Sequence, residues 1–385
     1  MAGYVKNRGK NTWLVTMPLG RDPDTKKRKF HYHTVHGTKK DAEKYLAKIV
    51  RDKDLGVFIE PTSTTVNEYL NQWLEIAAKP KLRERTYVEY SNLLNRYVKN
   101  ILGNKKLAEV QPLDVQALYT HMLAKGLSAR TVKYTHNVLS SAFKQAIKWK
   151  LIMQNPVAQA ELPKQTKIEM KVMSPEESKL FLEVASKHRL GVFFHLMLLT
   201  GMRPSEILGL QWEDIDLEKH LVIVQRSVVW RTKGSGWYFS QPKTLRSNRN
   251  IPLSNLLIVD IKEHRHKQLE ERLKEGSKYE NHNLVFATST GKPFMQRNII
   301  RYFKEIIKES NLPKTLRLYD LRHTCATLLL FANENPKVVA ERLGHASVTL
   351  TLDTYSHVLP TMQKAATDKL EEILYKNSLQ TQCRQ

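Results

Sequence analysis

LGHASVTLTLDTYSHV, residues 343–358, sets His345 and Tyr355 about three helical turns apart within an apolar helical pattern. Taken alone, Tyr355 reads as a half-buried aromatic among Leu and Val residues. Three other stretches place polar residues inside apolar patterns in the same way. LLTGMRPSEILGLQWEDID (198–216) puts Arg203 directly before Pro204, at a predicted helix start whose N–H donors face outward, with Glu206 one turn on to hold its guanidinium. QPKTLRSNRNIPL (241–253) puts Lys243 in a predicted β-hairpin loop. RLYDLRHTCATLLL (317–330) puts Tyr319, Arg322 and His323 at another helix start.

Each residue has a plain reading by itself: an ion-paired arginine, a solvated lysine, a capping histidine, a packed tyrosine. Together they describe one reaction centre. A phosphodiester under attack develops charge on two nonbridging oxygens, which planar guanidinium groups match bidentately. A tyrosine is a poor nucleophile at its usual pKa, but positive groups around the phosphate favour its phenolate form. The leaving 5′ oxygen needs a proton, and a hairpin lysine can supply it.

The whole composition agrees with a polyanionic partner. Among 385 residues the formal net charge is +24, beyond what solubility requires. The excess is spread: residues 1–60 carry 14 Lys or Arg against seven acids, and residues 61–170 carry 16 against eight. That describes a long footprint on nucleic acid better than a basic tail or a polybasic membrane patch. The two cysteines, Cys325 and Cys383, form neither a disulfide framework nor a zinc site, as expected in a reducing cytoplasm. No apolar run is long enough to span a membrane, and the first residues lack the apolar core of a signal peptide.

Along the chain, GYVKN, TWLVTM and KFHYHTV predict a three-stranded sheet, followed by a helix over GTKKDAEKYLAKIVRDKD with Thr38 and Asp41 in capping-box positions. His31 and His33 share a strand face, but without a third ligand nearby no metal is assigned to them. Four helical patterns fill residues 66–152, and the two prolines of NPVAQAELPKQTKIEMKVM interrupt the periodicity as a linker. Ser174-Pro175-Glu176-Glu177 then opens a domain of helices with a short antiparallel sheet formed by HLVIVQRSVV, GWYFSQP and NRNIPL.

The four polar stretches resemble the signature of the tyrosine recombinases, the phage and conjugative-element integrases in particular, and GLSARTVKYTHNVLSSAFKQAI…NPV is similar to that family's helical domain. The resemblance implies a multidomain fold: a small α+β arm-site DNA-binding domain (1–58), an all-α core-binding domain (62–160), a linker (161–172), a mainly α catalytic domain with a small antiparallel sheet (173–360), and a tail helix exchanged between protomers (361–385). It implies Arg203 and Arg322 as catalytic arginines, Lys243 as general acid, His345 as the later histidine and Tyr355 as nucleophile. One position departs from the pattern. The family motif is H-x-x-R, and Tyr319 stands where the histidine is expected; a phenol can donate a hydrogen bond to phosphate but is no cation near neutral pH. His323 reads either as its substitute or as a packing or capping residue.

The implied activity is site-specific recombination through a 3′-phosphotyrosyl link and a Holliday junction, integrating or excising a mobile element. One diester replaces another, so neither cofactor nor metal is expected. The implied partners are double-stranded DNA at core and arm sites, a homotetramer assembled on it, and a host architectural protein or excision factor, in the cytoplasm and nucleoid of a bacterium. A type IB topoisomerase would use the same chemistry but has little need of the small first domain. A non-catalytic DNA-binding protein predicts no covalent adduct, and a metal-dependent nuclease requires a carboxylate cluster that the sequence lacks.

Overall fold

Helix starts in this chain are written locally. Thr38, Thr65 and Ser174 each accept a hydrogen bond from the backbone N–H three residues on, and Asp41, Glu68 and Glu177 each accept one from the cap's own N–H, satisfying donors that a helix start leaves open. The computed structural model describes residues 3–21, 26–55, 58, 63–165, 170–231, 236–240, 248–355, 367–368, 370–371 and 374. The chain divides into two compact units, 1–167 and 168–385.

The first unit begins with strands β1 (Tyr4–Gly9), β2 (Thr12–Arg21) and β3 (Arg28–His36), paired antiparallel in the order β1-β2-β3. Helix α1 (Lys39–Asp54) covers the sheet, burying Ala42 and Ile49 with Val15 and Met17 of β2. His33 stacks on Tyr45 and His31 meets the edge of Phe58, so both imidazoles are occupied by aromatic packing.

The rest of the unit is all helix: α2 (Val66–Trp73), α3 (Glu84–Leu93), α4 (Lys99–Leu102), α5 (Pro112–Ala124) and α6 (Ala129–Lys148). The helical patterns expected from the sequence are present, but α2 and α3 each widen into a π turn, Leu74–Ala78 and Leu94–Val98. Leu70, Leu94, Leu118, Leu139 and Phe143 share one core, which Tyr69 crosses to donate to the carbonyl of Ala142 at 2.6 Å. Asn155 folds the Asn-Pro-Val segment back, donating to the carbonyl and hydroxyl of Ser140.

In the second unit α8 (Gly191–Thr200) is apolar all round and therefore central, with Phe193 and Phe194 edge-on to Phe286 and Phe181. Around it lie α7 (Pro175–Ala185), α9 (Pro204–Ile207), α10 (Asn255–Glu275), α11 (Gln296–Glu309), α12 (Asp320–Phe331), α13 (Pro336–Leu343) and α14 (Val348–Thr354). The sheet expected as one piece is two. Strands β4 (Ile215–Asp216), β5 (Leu221–Val224) and β8 (Arg249–Pro252) pair in the order β4-β5-β8, while β6 (Ser227–Trp230) and β7 (Trp237–Ser240) form a separate ribbon. The cause lies between β5 and β6: Gln225 and Arg226 both bond the buried Asp214 carboxylate, at 2.6 and 2.7 Å, and the ladder stops there. Of the expected tail helix only residues 367–368, 370–371 and 374 are described; they are helical, with Leu370 and Leu374 exposed.

Candidate active site

Two left-handed glycines build the floor of the site. Gly201 ends α8 at φ +68°, and Gly344 ends α13 at φ +66°, conformations that residues with a Cβ adopt only under strain. The chain turns sharply at both, and the carbonyls exposed there become acceptors. Arg322, near the start of α12 and only 5 % exposed, donates from Nη1 to the carbonyl of Gly201 at 2.5 Å and from Nη2 to that of Leu343 at 2.7 Å. Burial, reinforced by Arg203, pushes its guanidinium down to about 10.

Arg203 caps α9 and is held where its sequence spacing predicts. Its Nη1 donates to Glu206 Oε1 at 2.6 Å, its backbone N–H donates to Glu206 Oε2 at 2.9 Å, and its Nη2 reaches the Gly344 carbonyl at 3.3 Å. Glu206 is also ion-paired with Arg249, at 2.8 Å. Burial alone would raise the Glu206 carboxyl; Arg249 and Arg203 outweigh it and hold it below the usual carboxylate range. Arg249 starts β8 and further donates from Nε to the carbonyl of Arg342 at 2.7 Å.

Arg249 is the residue that sequence reasoning missed. It is the fourth residue of the RSNRNIPL stretch, and its place as an arginine after a loop is the one local signal; the partner lies 43 residues away. The three guanidiniums Arg203, Arg249 and Arg322 and the one carboxylate Glu206 leave two positive charges over the Leu343–Gly344 turn. That balance suits a phosphoryl centre gaining negative charge.

His345 follows the turn. Its Nδ1 lies 2.7 Å from Thr351 Oγ1, and burial together with Arg322, Arg203, Arg249 and His323 pushes its imidazole down to about 4. It is therefore neutral near pH 7. Tyr355 caps the end of α14 and packs with Ala326, Leu330, Val339 and Leu343. At 1 % exposure it is more enclosed than the half-buried tyrosine its sequence context suggests. Its phenol is pushed up to about 12, burial outweighing the pull of Arg322, and its Oη lies 3.0 Å from His323 Nδ1.

The structure thus brings Arg203, Arg322, His345 and Tyr355 around one turn. Tyr319 stands at the N-cap of α12, 42 % exposed, its hydroxyl making no hydrogen bond among the described residues. Lys243 lies outside the described residues. Among the described residues no cluster of three or more His, Cys, Asp or Glu is placed to hold a metal ion, and no helix is long and apolar enough to cross a membrane.

Residues 171–362 match the phage integrase family, and residues 65–123 match its N-terminal SAM-like domain. The chain is 31 % identical to a XerC-like tyrosine recombinase of Caldanaerobacter subterraneus, over 96 % of this chain and 98 % of that one. It is 28 % identical to the ICEBs1 integrase of Bacillus subtilis, over 96 % of this chain and all of the relative. Among solved structures, the Tn1549 transposon integrase bound to a circular intermediate DNA superposes with a TM-score of 0.66 at 25 % identity, covering 76 % of this chain and 95 % of that one. The lambda integrase tetramer on a Holliday junction shares the fold, with a TM-score of 0.57 at 19 % identity over 91 % of this chain and 94 % of that one. A chain so alike along nearly its whole length, with paired arginines, a histidine and a tyrosine gathered at one turn, belongs to the tyrosine recombinase family of phage-type integrases.

Proposed function

We infer that this protein is a site-specific DNA recombinase that integrates and excises a mobile element, with Tyr355 as its nucleophile. One observation carries the reading: Arg203 and Arg322 donate to consecutive carbonyls, Gly344 and Leu343, with His345 next in the chain and Tyr355 packed on Leu343. A phosphate over that turn meets two guanidiniums fixed before it arrives, so little reorganisation of those two groups accompanies the reaction. Tyr355 attacks phosphorus to give a 3′-phosphotyrosyl link, and the departing 5′ oxygen takes a proton from Lys243. A partner strand's 5′ hydroxyl then reverses the step, and two rounds pass through a Holliday junction.

The partners of this reading are double-stranded core and arm sites, three further copies of the chain on that DNA, and a host architectural protein or excision factor. The first basic domain would hold arm sites and the tail after residue 360 would link neighbouring copies. Tyr319 keeps at most a hydrogen-bonding role toward phosphate. Tyr355→Phe tests the assignment: on a nicked suicide substrate it should bind DNA as the wild type does and leave no covalent complex on a denaturing gel. An adduct formed by the Phe variant would remove Tyr355 as nucleophile.

A further inference from the structure

Cleavage requires that the phenol lose its proton, and the family's usual histidine for contacts near the phosphate is absent here, Tyr319 standing in its place. Tyr319 is half-exposed and takes no part in the hydrogen bond at the Tyr355 hydroxyl. Among the described residues one titratable group does touch the oxygen proposed to react: His323 Nδ1, 3.0 Å from Tyr355 Oη, with the two rings tilted at 58°. Tyr355 is buried and His323 part-buried, so the contact is sheltered from bulk solvent. We propose that His323 is a catalytic residue, the general base that receives the Tyr355 proton during strand cleavage and returns it during rejoining. This rests on the reading of Tyr355 as nucleophile.

The chemistry is consistent with the surroundings. Burial, with Arg322 and Arg317 beside it, holds the imidazole below its usual range against the opposing pull of Asp320, so near pH 7 it is neutral. Its Nδ1 can then accept from the phenol. In the step itself the Oη–H bond breaks and its proton passes to Nδ1, while the oxygen's electron pair forms the bond to phosphorus. The P–O5′ bond breaks, the 5′ oxygen keeping that electron pair and taking a proton from Lys243. Imidazolium remains while the phosphotyrosine stands, and gives the proton back when the phenol leaves.

The test is single-turnover cleavage by the full-length protein, comparing wild type, His323→Gln and His323→Phe at matched DNA occupancy. Glutamine keeps an acceptor but takes up no proton, so a merely positional role would survive it. General-base contributions are typically about 10²–10⁴-fold, and His323→Gln should slow cleavage by about 10²-fold. A 5′-phosphorothiolate substrate, whose leaving group needs no acid, should not restore the rate, whereas a trifluorinated tyrosine at position 355, more acidic than tyrosine, should restore it at least about tenfold. In the wild-type background the same fluorination should change the rate little, which covers the event that the variants fold poorly. Near-wild-type cleavage by His323→Gln, rescue by the phosphorothiolate, or no rescue by fluorination would each overturn the proposal. An adduct from Tyr355→Phe would instead overturn the nucleophile beneath it.

Discussion

Arg322 shows at the scale of one residue why arginine and lysine are not interchangeable. Its two terminal nitrogens are each committed to a different carbonyl, of Gly201 and Leu343, a forked pairing whose planar geometry lysine's ammonium does not reproduce. Arg322→Lys should leave one buried carbonyl unpaired, destabilise the fold by about 1–3 kcal/mol, and slow cleavage by about 10²–10³-fold; thermal melts and suicide-substrate kinetics separate the two effects. His345 supplies a pH effect. Its imidazole is pushed from about 6.5 in the unfolded chain to about 4 in the folded one. Above pH 6.5 both states leave it neutral and its contribution is intact. As pH falls from there toward 4, the unfolded chain takes up a proton that the folded chain refuses, and stability is lost. Because the side chain is only part-buried, the loss should be about 1–2 kcal/mol after screening. Denaturant melts at pH 7.5 and 4.5 should show it, and His345→Asn should flatten that difference.

At the scale of elements, the glycine ending α8 is the most open to test. A Cβ on Gly201 would lie 2.5 Å from Leu343 Cδ2 and 3.3 Å from Cys325 Sγ, in a left-handed conformation that alanine resists. Gly201→Ala should destabilise by about 2–3 kcal/mol and weaken cleavage further, because the displaced carbonyl is the one that holds Arg322; urea melts alongside cleavage assays check both. Elements also mark how far the sequence could be read. The capping boxes at Thr38 and Ser174 and the Arg203–Glu206 pair were legible because each is closed within three residues. The split of the small sheet was not, since the alternation of HLVIVQRSVV contains no sign that Asp214 draws Gln225 and Arg226 out of the ladder. Arg249 and His323 were unassigned for the same reason. Their partners sit 43 and 32 residues away, and only the closed tertiary structure decides which polar group each one meets.

At the scale of the whole molecule, the small sheet with α1 and the helices after it have separate apolar cores. A chain beginning near Thr62 should therefore still cleave core-site DNA while losing protection of distant arm sites. Footprinting decides this, and the salt dependence of binding should shallow by about 0.9 in log–log slope for each phosphate that the shortened chain no longer neutralises. Unchanged protection of every site would remove the arm-binding role of residues 1–58. The enclosure of Tyr355, at 1 % exposure, reaches beyond the reaction itself. A molecule with +24 net charge attracts any DNA backbone, whatever its sequence. The hydroxyl proposed above as the nucleophile, held inside a packed cluster of Ala326, Leu330, Val339 and Leu343, is kept from the backbone of a duplex bound without regard to sequence.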